Sequence, residues 1–152
     1  MRIVQVIEQA VNRVTEINQF VHASNFLNNA IADYGLTYPV AFLVRPVNIA
    51  PRVVDSGHLI EVARCSIFFS DLQGELVDAP DAHSVVDPKI EVMRKAILKF
   101  FKALQEDEQT ARLTVSTYRD VTNFFDASLC GIIAEFTIEL RMETPYPCPD
   151  EI

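Results

Sequence analysis

The chain has 152 residues, 49% hydrophobic and 22% charged, with a mean hydropathy of +0.15, a formal net charge of −8 and a sequence pI near 4.8. That composition excludes a disordered chain, and the length is that of one ordinary domain with a single sizeable core. The net charge argues against sequence-independent adhesion to DNA or anionic lipid, which needs clustered Lys and Arg. The slight apolar excess points to surface buried between subunits.

In chain order, Ile3, Ile7, Ala10, Val14 and Ile17 recur at three- and four-residue spacing, which predicts an amphipathic helix over residues 2–18. A short strand at Phe20–His22 and a terminator at Gly35 follow. The apolar run TYPVAFLVRPV predicts a strand over about 37–46, buried on both faces and bounded by Pro39 and Pro46. After a loop from Asn48 to Gly57, HLIEVARCSIFFSDL predicts a long antiparallel partner over 58–71. Residues 73–88 form the longest predicted loop. Asp87 as N-cap and Pro88 at the first helical position open a second helix, 88–104, which stops before the acidic Glu106, Asp107 and Glu108.

Strands over 111–119 and 129–143 complete the pattern, before a proline-rich tail at 144–152. The last strand alternates. Cys130, Ile132, Ala134, Phe136, Ile138, Leu140 and Met142 fall on one face, with Glu135, Thr137, Glu139, Arg141 and Glu143 mostly on the other. The predicted architecture is one α+β domain, two amphipathic helices on one face of a mostly antiparallel sheet.

Catalytic motifs are not evident. Asp55, Ser56 and His58 are the residue types of a nucleophilic triad, but such groups converge from separate segments, and here they read as an ordinary turn. His22, His58 and His83 lack metal-ligand spacing, and Cys65, Cys130 and Cys148 form no CxxC pair; Cys65 and Cys130 read as small core residues. The glycines form no phosphate-cradling pattern. No cofactor or metal is therefore expected.

Two charged stripes remain. Glu135, Glu139 and Glu143 recur on one strand face at about 13 Å per step, too far apart for paired acid/base work and readable as a solvated face. Lys95, Lys99 and Lys102 line one side of the second helix, with Lys89 and Arg94 nearby. Complementary stripes on one chain suit a heterologous contact between identical subunits.

The pattern as a whole resembles the tail terminator or tail completion proteins of tailed bacteriophages, small virion proteins of the head–tail region. The resemblance runs from about residue 2 to 143, through YPVAFLVRP, HLIEVARCSIFFSDL, PKIEVMRKAILKFFKAL and YRDVTNFFDASLCGIIAEFTIELRM. It implies a virion protein made in the bacterial cytoplasm, with no catalytic residues and no membrane. Its subunits would form a homo-oligomeric ring, a hexamer or dodecamer, stacked on the tail tube, connector or portal. DNA would pass through an axial channel without specific binding. The acidic loop with Glu75, Asp78 and Asp81 would reach the lumen or a neighbouring ring. The proline-rich C-terminus and apolar first helix depart from long-tailed examples. The alternative from another class is a small-ligand or peptide-binding module with an apolar pocket between helices and sheet; a hydrolase at Ser56 and His58 comes third.

Overall fold

A computed structural model describes residues 2–23, 36–53, 59–72, 82–124 and 129–141. The elements follow the order α1 (Arg2–Asn12), β1 (Gln19–Ala23), β2 (Val40–Val53), β3 (Leu59–Leu72), α2 (Ala82–Glu106), β4 (Thr110–Phe124) and β5 (Leu129–Arg141). The strands form one sheet in the order β1-β2-β3-β5-β4, antiparallel except for the short parallel pair β1/β2. Both helices pack against the same face, so the α+β architecture is as the patterning predicts.

The first helix ends at Asn12 rather than at residue 18. Beyond it the chain tightens into turns in which Val14 N–H donates to Val11 O at 2.9 Å and Ile17 N–H to Val14 O at 3.2 Å. Three-residue bonding keeps Val14 and Ile17 on the core side as an α-helix would, so apolar spacing could not separate the two.

β2 corrects the predicted strand limits more strongly. It starts at Val40 after a cis Tyr38–Pro39 bond and runs on through Pro46 and Pro51 to Val53, across much of the expected loop. Val44 pairs with Ser66 but Asn48 pairs with Arg64, so the strand bulges there and Pro46 sits where the ladder is already broken. Among the described residues β1 pairs with Val40 to Val44 and does not reach Pro51, whose missing N–H costs least where no strand is paired. β4 likewise extends past residue 119 to Phe124.

The second helix begins at Ala82, inside the expected loop, and contains Pro88 instead of starting at it. A proline in the second turn forfeits one bond, to the carbonyl four residues back, and the helix continues through that loss. At the other end it includes Glu106, whose clash with the helix dipole is offset by Arg13 at 3.2 Å and Lys102 at 4.0 Å.

The core lies between helices and sheet. Ile3, Ile7, Met93, Ile97 and Leu104 meet Ile67, Phe69, Ile132, Phe136 and Ile138, all essentially fully buried. Each such side chain contributes about 1.5–3 kcal/mol. The rings of Phe100 and Phe69 lie 5.3 Å apart, and Phe100 and Phe101 stand edge-on to Phe136 at 5.9 and 5.7 Å. A smaller apolar cluster of Val40, Phe42, Phe68, Val121 and Leu129 occupies one end of the opposite sheet face. Val40, Ala41, Phe42 and Leu43 are thus buried on both faces, as their continuous apolar run predicts.

Gly131 is the point where β5 needs glycine. Its φ is +155°, and a Cβ there would lie 1.9 Å from the Phe69 carbonyl oxygen. Cys65 and Cys130 are core residues, as predicted, and burial pushes their thiols up to about 12 and about 11.

Candidate functional site

The sheet face away from the helices is divided. One end holds the small apolar cluster; the other is polar, with Asn48, Arg64 and Thr137 in one row and Ser66, Glu135 and Thr117 in the next. Here lies an open hollow of about 420 Å³, lined chiefly by Asn48, Arg64, Ser66, Ser116, Glu135 and Thr137. Its position follows from two irregularities. The β2 bulge falls beside Arg64 to Ser66, and the β4 shift between Val115 and Thr117 falls beside Phe136 and Glu135, which β3 and β5 bring into register. Bulges bend their strands, and two of them flanking one point leave a concavity.

The predicted glutamate stripe does not behave as one unit. Glu135 is exposed at the hollow. Glu139 is not solvated: its side chain is only 8% exposed and is held by Arg52, with Arg112 at 4.0 Å. Burial of a carboxylate requires such partners. Glu143 lies outside the described residues, as do Glu75, Asp78 and Asp81 of the proposed lumen loop, Asp55, Ser56 and His58, and Cys148.

The lysine stripe is on the opposite side of the molecule. Lys99 pairs with Glu16 and so ties α2 to the turn after α1. Lys102 lies 4.0 Å from Glu106, and Lys95 is exposed without an ion pair among the described residues. Lys89 donates to the Leu72 carbonyl at 2.6 Å, and Arg94 grips both oxygens of Asp120 at 2.7 and 2.9 Å.

Two features escaped the sequence reading. The first is a set of arginines on the outer face. Arg112 and Arg119 are seven residues apart, which in a regular strand means opposite faces, yet the extra residue Ser116 puts both outward, opposite Glu139 and Ile133. Arg52, Arg64 and Arg141 share that face.

The second is an apolar strip beside the sheet edge. Among the described residues β4 has no strand on its far side, and Val115 and Tyr118, on its helix-facing side, remain 38% and 47% exposed. Leu98, one turn beyond Arg94, is 51% exposed. Leu98 lies on α2 between Arg94, which is anchored to Asp120 of β4, and Phe101, which packs on Phe136 of β5.

Among the described residues no group of His, Cys, Asp and Glu is placed to hold a metal ion, and no helix is long and apolar enough to cross a membrane. The chemistry available on the outer face is ion pairing and hydrogen bonding. No protein-family model matches this chain, and no curated protein matches it.

Proposed function

We propose that the protein is a structural subunit of a tailed-bacteriophage virion, forming a ring at the head–tail junction or tail end, in the manner of a tail terminator or neck protein. The observation that carries this reading is the pair of unlike sheet edges. At one end β4 presents a backbone edge that is unpaired among the described residues, with Leu98, Val115 and Tyr118 exposed beside it; at the other stand β1 and the outer stretch of β2. A contact between unlike edges is heterologous, and a heterologous contact that closes makes a ring. The resemblance in element order to phage tail completion proteins supplies the virion context.

Light scattering across a wide concentration range tests the reading, with negative-stain microscopy of the product. The expected result is a discrete multiple of the 17.1 kDa chain that images as a ring with an axial opening. A strict monomer would favour the second reading, a ligand-binding module, for which the hollow of about 420 Å³ is the specific observation. Its ligand would be small and polar, since the space between helices and sheet is filled by Phe69, Phe100, Phe101 and Phe136.

A further inference from the structure

We infer that the hollow on the outer face of the sheet is a binding site for a free α-amino acid with an aliphatic side chain. The inference rests on the ligand-binding reading of that hollow given above, and it holds whether or not the chain assembles. Two opposite charges line the hollow, Arg64 and Glu135; both are exposed, and neither makes an ion pair among the described residues. Neighbouring charges on this face are committed, Arg52 and Arg112 to Glu139.

Register sets the spacing of the two charges. Arg64 of β3 lies opposite Thr137 of β5, and Glu135 is the next outward residue along β5, opposite Ser66. Such diagonal neighbours are about 7–8 Å apart. The carboxylate and ammonium of an α-amino acid share one carbon, and with a charge-assisted hydrogen bond of about 2.8 Å at each end they bridge that gap, carboxylate on Arg64 and ammonium on Glu135. Ser66, Ser116 and Thr137 supply hydroxyls to the same hollow. A second hollow of about 290 Å³ shares Asn48 and Arg64 with the first and is otherwise lined by Ile49, Ala50 and Val62. The Ala50–Val62 pair stands one row from Asn48–Arg64, on the side away from Glu135, so a side chain on the same α-carbon meets apolar surface there. A phosphate or simple carboxylate would face Glu135 as a like charge, and a simple amine would face Arg64; a ligand carrying both charges satisfies both groups.

The test is equilibrium dialysis of radiolabelled L-valine against the full chain, with glycine, isovalerate and isobutylamine as competitors that lack the side chain, the ammonium and the carboxylate in turn. Arg64→Gln and Glu135→Gln each remove one charge of the hollow, Arg119→Gln removes one from the same face that does not line it, and far-UV circular dichroism confirms folding. The expected result is one saturable valine site per chain with a Kd below about 1 mM. Each competitor, and valine on each hollow variant, should bind at least about tenfold more weakly, with Arg119→Gln like wild type. Absence of saturable valine binding overturns the inference. So does a competitor that binds as tightly as valine, a pair of hollow variants that bind like wild type, or an equal loss in Arg119→Gln. Isovalerate or isobutylamine binding as tightly as valine leaves the hollow a site for another ligand class, so the ligand-binding reading outlives this inference; if none of the four compounds binds, that reading loses its supporting site as well. Light scattering of the same samples reports assembly separately.

Discussion

Glu139 of β5 is held by Arg52 of β2, which reaches across the intervening strand β3. The pair clamps the outer stretch of β2, which lacks β1 as a flanking strand, onto the sheet centre. Arg52→Ala leaves a buried carboxylate with only the more distant Arg112, and should cost about 1–3 kcal/mol of stability. Glu139→Gln, which removes the buried charge and leaves a half-exposed Arg52 that water can solvate, should cost less. Denaturant melts of the two variants check the order.

Gly131 has no substitute in its present backbone. Gly131→Ala forces a Cβ onto the Phe69 carbonyl at a φ that L-residues rarely adopt, in the most continuously paired ladder of the sheet. The loss expected is at least about 3 kcal/mol, combining strain and overpacking. A melting temperature within a degree of wild type would contradict the close approach of β3 and β5.

The Glu16–Lys99 pair links stability to pH. The Lys99 hydrogen bond holds the Glu16 carboxyl below its ordinary value of 4.5, so the folded state favours the ionised form. Its contribution is present above about pH 4.5 and is lost as pH falls through the lower folded value. Lys99→Ala should therefore narrow the stability difference between pH 7 and pH 3. The pair is exposed, and the effect will be small. Chemical denaturation of both proteins at the two pH values measures it.

Native alkylation should discriminate among the cysteines. Burial keeps the Cys65 and Cys130 thiols protonated at pH 8, so iodoacetamide should leave both unmodified in the folded protein and label both after denaturation. Peptide mass spectrometry resolves each site.

The apolar strip makes a prediction about assembly. Leu98→Lys/Tyr118→Lys places charge on side chains that are about half exposed in the free chain, so folding should be almost unaffected. If β4 and its strip meet a neighbour, the same changes should dissociate the oligomer, seen as a shift in mass by light scattering.

Local patterning was sufficient for much of this molecule. The alternation of Cys130 to Leu140, the continuous run of Val40 to Leu43 and the spacing of Met93, Ile97, Phe100 and Leu104 each specify an element and its buried side. Burying apolar area is the largest favourable term in folding, and it leaves a period that can be read directly. Glu139 and Arg119 could not be read this way. Which face Arg119 occupies depends on one extra residue at Ser116, and whether Glu139 is wet or paired depends on Arg52, 87 positions earlier and two strands away. Charge placement on the outer face was therefore decided by bulges and long-range register, and those are set by the packed sheet as a whole.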